Sequence, residues 1–403
     1  MTTELGASIW LPAANPAGLT ELDVASGVVV GQDEGPGRPE FVHPGPDPMA
    51  RLGELAAELL SASPCVIAFS GGRDSSALLA FFVDVARRHG LDEPIAVTAR
   101  WDDDAASDER EFQEQVIESI GAEHWEIIRP GNDLDLLGDE AVGALVGQGL
   151  MWPAPAYAFL PMIRKASGGV FVSGEGGDEA FGLYPHGRFW DAVRHRRIPL
   201  RPDWIAAVVA CTPRPYRRRQ WERRLPPYQA WLRPEARDRF GRRLAEEMDE
   251  PIRWDRYQVV NRSRRAVSLT LGTLEAICAL EGARYSGPFL DTAFLSGLAT
   301  WGGRFGRGDR TAVMTALFGK LLPAPVLARS SKASFGGVFW GPASRRFAEE
   351  WDGTGFDDRL VDAEALRTEW LTPVPVYGSA VPLHAAWLAH HAVRANEPHA
   401  GTP

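Results

Sequence analysis

This sequence of 403 residues has few cysteines, no excess of positive charge and no long apolar run. Its three cysteines, Cys65, Cys211 and Cys278, show neither CxxC spacing nor a companion histidine cluster, which argues against a disulfide framework and against a zinc site. The formal net charge of −10 argues against a general nucleic-acid binder, because such proteins need excess Lys and Arg to displace counterions from phosphates. No apolar run approaches the roughly 20 residues of a membrane helix. We therefore expect a cytoplasmic protein that binds neither nucleic acid nor membrane.

The composition, 45% hydrophobic and 24% charged, is that of a chain able to bury a substantial core. Three regions differ in pattern. Residues 1–50 are rich in Gly, Pro and Ala, and β-like pieces such as 27–30 predict a short appendage of strands and loops. Residues 51–185 alternate between strand and helix patterns. Residues 186–403 have helical patterns only, so we expect a mainly helical lobe there.

The middle region predicts the fold class. The apolar run 65–69 predicts a buried strand, and residues 74–89 carry apolar side chains at helical spacing up to Gly90. Further strands are predicted at 95–98, 125–128 and 170–172, separated by helices that include one capped by Ser107 and one running from Tyr157 to Ala166. Repeated βα units indicate an α/β protein with a parallel, doubly wound sheet. The helical lobe is then expected to cover the carboxyl edge of this sheet.

A glycine-rich turn lies between the first predicted strand and its helix. Glycines allow the backbone to approach an anion, while Ser hydroxyls, backbone N–H groups and the helix dipole can all point toward it. The turn has neither the Gly-Lys-Ser/Thr of a Walker A loop nor a GxGxxG fingerprint. It therefore predicts a phosphate cradle of another type. Its candidate residues are Ser70, Gly71, Gly72, Asp74, Ser75 and Ser76.

A second glycine-rich turn follows the last predicted strand, over residues 173–182. Glu175 and Asp178 are spaced three residues apart in this turn, beside Gly174. Carboxylates in such a place are not core packing, and they bind a cation or position a substrate amine. An exposed acidic turn without function is the alternative interpretation.

Three motifs in the same chain order resemble those of one enzyme family. The segment 70–76, Ser-Gly-Gly-Arg-Asp-Ser-Ser, resembles the SGGxDS pyrophosphate loop of N-type ATP pyrophosphatases. The segment 173–182 resembles the SGEGxDE(x)FGG element of asparagine synthetases. Residues 322–337 resemble their LPxxxxxRxKxxF stretch, with one extra residue between Arg329 and Lys332. Over about residues 50–345 the chain is similar to the synthetase domain of that family, whose relatives include lasso-peptide cyclases and β-lactam synthetases.

The resemblance implies an adenine nucleotide alpha hydrolase-like fold and a reaction with ATP and Mg²⁺. A substrate carboxylate would be converted to its acyl-adenylate, releasing pyrophosphate, and would then be coupled to an amine. By carry-over of the motifs, Asp74 and Asp178 would hold the metal, Gly174 would contact the nucleotide, and Lys332 would be catalytic at the phosphates and the acyl-adenylate. Glu175 would be catalytic by orienting or deprotonating the amine, since a shielded carboxylate can serve as a base.

The family also has a glutaminase domain that begins with a nucleophilic Cys, whereas position 2 here is Thr2 and about 50 residues precede the matching segment. Glutamine hydrolysis is therefore not expected. The nucleophile would be ammonia or, as we favour, an amine on another molecule or on the same substrate, in natural-product or peptide-modification biosynthesis. The alternatives are an ammonia-dependent asparagine synthetase and a non-catalytic ATP-binding scaffold.

Arginines are dense between residues 194 and 243, against the acidic balance of the whole chain. They could form a solvated helical face paired with local Glu and Asp. They could also form a recognition surface for an acidic partner such as a precursor peptide. The sequence alone does not decide between these two interpretations.

Overall fold

The computed structural model describes residues 15–33, 40–101, 108–182, 184, 186–222, 229–329 and 336–396. Two residues singled out from the sequence, Ser107 and Lys332, lie outside this described part.

A parallel sheet of five strands organises the described chain, in the order β3-β2-β1-β4-β5. Every neighbouring pair is parallel, with Ile67 opposite Ala96 on one side and opposite Val172 on the other. The predicted α/β fold is thereby confirmed. Chain order reverses between β1 and β4, which is where open parallel sheets bind ligands at their carboxyl ends. The strands are β1 (Cys65–Ala68), β2 (Ile95–Ala99), β3 (Trp125–Ile128), β4 (Val170–Val172) and β5 (Arg284–Ser286).

Helices cover the sheet and make up most of the rest of the described chain. In the first part they are α1 (Glu21–Ser26), α2 (Pro48–Leu60), α3 (Arg73–His89), α4 (Arg110–Ile120), α5 (Asp139–Gln148), α6 (Leu160–Ile163) and α7 (Gly177–Phe181). Then follow α8 (Gly187–Arg194), α9 (Arg201–Ala210), α10 (Arg214–Glu222), α11 (Pro234–Glu247), α12 (Trp254–Arg262), α13 (Arg265–Leu280) and α14 (Thr292–Gly302). The last are α15 (Arg310–Phe318), α16 (Ala324–Ala328), α17 (Gly336–Phe339), α18 (Pro342–Glu350), α19 (Ala363–Trp370) and α20 (Ala380–Asn396). Short 3-10 helices lie at Gly131–Leu134, Ala154–Phe159, Arg164–Ala166, Pro288–Leu290, Gly303–Phe305 and Tyr377–Ser379.

The helix that leaves the first glycine turn, α3, follows its sequence closely. Leu78, Phe82 and Val85 are fully buried. Asp84 and Arg88 form an ion pair of 2.8 Å, one turn apart on the helix. Gly90 ends the helix with φ of 65°, a left-handed conformation that glycine adopts at low cost. This helix therefore holds its first turn rigidly beside the end of β1.

Three expectations from the sequence were wrong in detail. Residues 27–30 form no strand, because Val29 and Val30 are buried by packing after α1 rather than by sheet pairing. The helix predicted from Tyr157 to Ala166 is instead a series of short helical pieces. Strand structure does not end near residue 185, since β5 at 284–286 pairs with β4 and extends the sheet.

A cluster of buried aromatic rings joins the second glycine turn to the C-terminal helices. Phe181, at the end of α7, packs edge to face against Phe289, Phe294 and Phe318, at centroid distances of 4.8, 6.2 and 5.7 Å. Helices of the C-terminal region thus form the support of the sheet's carboxyl edge. Among the described residues, no helix is both long and apolar enough to cross a membrane.

Candidate functional site

The first glycine turn joins β1 to α3 and exposes a helix N-terminus. Gly71 has φ of 85°, and a Cβ there would lie 2.8 Å from the Gln113 side chain, so the position requires glycine. Gly72 is the N-cap of α3, and no side chain caps the helix. N–H groups of the first helical turn are therefore available to an anion, and the helix dipole favours negative charge there.

Two side chains hold the carbonyl groups of this turn. Gln113 on α4 donates to the Ser70 carbonyl at 3.1 Å, and Arg329 donates to the Gly71 carbonyl at 3.1 Å. In a trans peptide the C=O and N–H point in opposite directions. Fixing the Ser70 carbonyl turns the N–H of Gly71 to the opposite side, away from Gln113. The N–H of Gly72 donates to Ser70 Oγ at 3.2 Å, so that hydroxyl lies over the turn beside the Gly71 donor.

The hydroxyl groups of the turn divide into two kinds. Ser70 is exposed, and its Oγ lies 3.0 Å from the Oγ of Ser75. Ser75 also donates to the Gly72 carbonyl at 3.2 Å and accepts from the Ser70 N–H at 3.2 Å, so it braces the loop. Ser76 is fully buried, and its Oγ has no hydrogen-bond partner among the described residues.

The second glycine turn packs directly against the first. A Cβ on Gly174 would lie 3.1 Å from the Ser75 nitrogen, and one on Gly177 would lie 2.3 Å from the Asp74 carboxyl carbon. Side chains at either position would therefore push the two turns apart. Gly176 has φ of 91°, which directs the chain sharply into α7 and brings Asp178 into its first turn.

One arginine bridges the two turns. The guanidinium of Arg310, the first residue of α15, donates to Asp74 at 2.5 Å and also to Asp178. Burial raises the pKa of Asp74, and the charge and hydrogen bond of Arg310 oppose that rise. The structure thus brings both predicted metal-binding carboxylates around a single cationic group.

The donor set at this bridge fits a divalent cation. The second carboxylate oxygen of Asp74, Oδ1, is buried and has no hydrogen-bond partner among the described residues. Carboxylate oxygens are the ligands Mg²⁺ prefers, and it usually takes only one or two of them together with phosphates and water. Within the described ranges no group of three or more His, Cys, Asp or Glu side chains could hold a metal. Asp74 and Asp178 are a donor set that suits Mg²⁺ bound together with phosphate oxygens and water.

Glu175 lies in the same turn, two residues before the start of α7. Its backbone N–H donates to Ser173 Oγ at 3.3 Å, and that oxygen lies 2.9 Å from the Tyr285 hydroxyl on β5. Burial raises the pKa of Tyr285, and the charge of Glu175 adds to that rise. The backbone that carries Glu175 is thus tied to β5 through Ser173 and Tyr285.

Sequence reasoning missed three residues that organise this site. Gln113 and Arg310 belong to no motif, and Arg329 was noted only for its place near Lys332. One signal existed for Arg310, because a cation in the first turn of a helix opposes the helix dipole and so points to a partner elsewhere. Arg329 contacts the Gly71 carbonyl and forms a buried ion pair of 2.6 Å with Glu109. Lys332 itself lies outside the described residues.

Comparison with protein families identifies the one to which this chain is similar. No curated protein matches the chain. Residues 54–376 match the family model described as asparagine synthase. This match covers most of the chain and includes both glycine turns, Arg310 and Arg329, and it shows that the chain belongs to the asparagine synthase family.

Proposed function

We propose that this protein is an ATP-dependent ligase that forms a carbon–nitrogen bond through an acyl-adenylate, in peptide modification or natural-product biosynthesis. Membership of the asparagine synthase family supports the reaction class. The observation that carries the proposal is the junction of the two glycine turns, where Arg310 bridges Asp74 and Asp178 beside the uncapped start of α3. This arrangement suits a triphosphate better than any other common ligand, because N–H groups, an arginine and cation-binding carboxylates converge there.

In this reaction the N–H of Gly71 and the first turn of α3 receive the phosphates, and Ser70 Oγ, which accepts from the Gly72 N–H, lies beside them. When bound, Mg²⁺ would neutralise phosphate charge beside Asp74 and Asp178. The substrate carboxylate attacks the α-phosphate, its oxygen forms the new P–O bond, and pyrophosphate leaves. The amine then attacks the acyl carbon, and AMP leaves. Lys332 would stabilise negative charge in both steps, as its motif implies.

Glu175 would serve the second step. As the amine attacks, its nitrogen becomes positively charged and must lose a proton. A carboxylate in the second glycine turn can orient the amine and accept that proton. We expect the carboxylate substrate to lie between Glu175 and the phosphate cradle.

The decisive measurement is the identity of the nucleotide product, followed by mass spectrometry with candidate peptides and metabolites. We expect AMP and pyrophosphate; ADP and phosphate would exclude adenylation. Asp74→Ala and Lys332→Ala should abolish product formation without loss of the fold. Asp84→Ala, on the same helix as Asp74, and Lys320→Ala, at an exposed position, are matched controls that should retain turnover.

The alternatives have separate outcomes in the same assays. Aspartate that stimulates exchange between ATP and pyrophosphate, with ammonia as the amine, would identify an asparagine synthetase instead. ATP binding in calorimetry, with no AMP or pyrophosphate formed from any candidate substrate, would identify a non-catalytic ATP-binding scaffold.

A further inference from the structure

The arginine-rich region has an unusual charge balance. From Arg188 to Arg219 the chain contains nine arginines and two aspartates, with no lysine and no glutamate, whereas the whole chain has a net charge of −10. The region forms α8, α9 and the first part of α10. Because the rest of the protein carries the excess negative charge, this region is where an acidic partner would be attracted rather than repelled.

Intramolecular pairing accounts for only some of these arginines. Asp249 accepts from Arg214 at 2.9 Å and from Arg217 at 2.5 Å, while Arg218 pairs with Glu246 at 3.0 Å. Arg188 lies 3.4 Å from Asp203, and Arg194 donates to the Gly306 carbonyl. The other four are exposed and form no ion pair with any described residue. These four are Arg196, Arg197, Arg201 and Arg219.

Exposed apolar side chains lie among the same arginines. Within the described part of the chain, seven of the fifteen exposed large hydrophobic residues fall between positions 193 and 216. On α9, Trp204, Ile205 and Val208 share one outward face, and Ile198 immediately before it is 91% exposed. Concentrated exposed apolar area marks an interaction site more often than scattered exposed residues do. The seven are Val193, Ile198, Leu200, Trp204, Ile205, Val208 and Tyr216.

This surface is attached to the structure that holds Arg310. Phe189 on α8 packs against Trp204 on α9, with ring centroids 5.1 Å apart. At the start of α8, a Cβ on Gly187 would lie 2.7 Å from the Gly308 carbonyl oxygen, so the two backbones are in contact. Gly308 directly precedes Asp309, the N-cap of α15, on which Arg310 is the first residue. The elements that form this surface are therefore packed, through α8, against the backbone that leads into Arg310.

We propose that the exposed face of α8, α9 and the start of α10 docks an acidic polypeptide segment that also carries apolar side chains. This segment belongs to the substrate whose carboxylate is activated. This inference rests on the proposed ligase function and names its substrate class. Arginine suits carboxylates in particular, because its planar guanidinium binds them through two parallel hydrogen bonds. The exposed side chains of α9 would contact the apolar residues of the same segment.

A membrane surface is the competing partner, and the pattern of α9 argues against it. Helices that lie in a bilayer interface carry Lys and Arg along their polar face. Over Arg201–Ala210, α9 has a single arginine, at its first position, and one aspartate. The unpaired arginines lie mainly before and after this helix. Charge placed at the ends of an apolar face fits an extended or helical peptide with acidic residues around an apolar centre.

The test uses the full chain and a fluorescein-labelled synthetic peptide built from Glu-Leu-Glu-Phe repeats, followed by fluorescence anisotropy. A Lys-Leu-Lys-Phe peptide and vesicles of phosphatidylcholine with phosphatidylserine are the comparison probes. We expect the acidic peptide to bind, with an affinity that falls as salt is raised, and neither comparison probe to bind. Binding to the vesicles but not to the acidic peptide would overturn the proposal in favour of a membrane.

Two variants and one control locate the binding. Removing the four unpaired charges should weaken binding of the acidic peptide about tenfold or more, since several arginine–carboxylate pairs with the peptide are lost together. Position 196 takes Asn because its φ is 53°. The charge variant is Arg196→Asn with Arg197→Ser, Arg201→Ser and Arg219→Ser. The apolar variant is Trp204→Ser with Val208→Ser. The control, which removes four exposed charges elsewhere, is Arg256→Ser, Arg284→Ser, Lys320→Ser and Arg346→Ser.

Equal binding by the charge variant and the control would overturn the docking surface, provided circular dichroism shows both are folded. Failure of the ligase function has a different signature. In that case the wild-type protein would form no AMP from ATP with any carboxylate, including the acidic peptide, whatever that peptide's affinity. Asp74→Ala separates the two further, since it should lose AMP formation and bind the acidic peptide as tightly as wild type.

Discussion

The anchor of the first glycine turn can be tested through Arg329. Its side chain and that of Glu109 are only 6% and 5% exposed, and their ion pair of 2.6 Å lies beside the hydrogen bond from Arg329 to the Gly71 carbonyl. The guanidinium also lies 3.8 Å from the centre of the Phe112 ring. Arg329→Met keeps an unbranched side chain there but removes the charge and the guanidinium donors. Because the buried ion pair with Glu109 is then broken, the free energy of unfolding should fall by about 3–5 kcal/mol.

A second substitution separates stability from function. Arg329→Met with Glu109→Gln removes both charges of this pair, so no buried carboxylate is left at position 109. Most of the lost stability should return, to within about 2 kcal/mol of wild type. The Gly71 carbonyl still lacks its donor in this double variant. Since a hydrogen bond from a charged group contributes about 1.5–3 kcal/mol, kcat/KM for ATP should stay reduced by about tenfold or more.

Urea unfolding followed by tryptophan fluorescence gives the stability, and pyrophosphate release at varied ATP concentration gives kcat/KM. Arg88→Met, which breaks an exposed pair with Asp84, is the matched control and should cost under about 1 kcal/mol. If the double variant regains both its stability and the wild-type kcat/KM for ATP, Arg329 does not position the turn. If the single variant unfolds at the wild-type urea concentration, the buried pair does not stabilise the fold.

Three further predictions concern single residues. Asp135 is 2% exposed and caps the start of α18 by accepting from its N–H groups, at 2.7 Å from that of Ala343. Asp135→Asn should therefore lower the free energy of unfolding by about 1–2 kcal/mol, and an unchanged urea midpoint would refute this capping role. Burial lowers the pKa of His384 to about 4, so the free energy of unfolding is unaffected by this group above pH 6.5 and falls as pH drops from 6.5 toward 4. His384→Gln should remove about 3 kcal/mol of this loss, measured as urea midpoints against pH. Arg310 lies between Asp74 and Asp178 and should compete with Mg²⁺ for these carboxylates. Arg310→Met should therefore lower the Mg²⁺ concentration for half-saturation by about tenfold, measured by calorimetry without nucleotide, and a higher concentration would contradict this competition.

Local patterns in the sequence were enough to predict four strands and both glycine turns. Strands β1 and β4 are continuous buried runs, and each is followed by a turn that needs glycine, so their character is visible in a few adjacent residues. By contrast, β5 is only three residues, Arg284–Ser286, and none of them is fully buried. It becomes a strand because β4 offers an unpaired edge, which is a property of the assembled sheet. Its position could not be read from its own residues.

The parts of the site that the sequence did not predict depend on distant contacts. Arg310 lies 132 residues after Asp178 and 236 after Asp74, and Arg329 lies 258 residues after the glycine whose carbonyl it holds. Neither residue differs in its local pattern from an ordinary surface arginine, apart from the unfavourable place of Arg310 at a helix start. The predicted residues therefore belong to two short segments with a recognisable local pattern, whereas the missed residues act on those segments from distant parts of the chain.

The acidic and the basic groups of the site come from different parts of the chain, the strands of the sheet and a C-terminal helix, and the site needs both parts. The acidic groups, Asp74 and Asp178, follow strands of the sheet, while their cationic partner Arg310 comes from a helix after residue 300. Without that helix the two carboxylates would repel each other and any phosphate nearby. The buried contact of Phe181 with Phe318 places the end of α7 against the same helix, α15, that begins with Arg310. Packing of this aromatic pair thus fixes both the acidic turn and its counter-charge, and a substitution such as Phe318→Ala should impair ATP binding even though no atom of Phe318 needs to touch the nucleotide. Unchanged ATP affinity in a folded Phe318→Ala protein would show that the Arg310 bridge forms without this support.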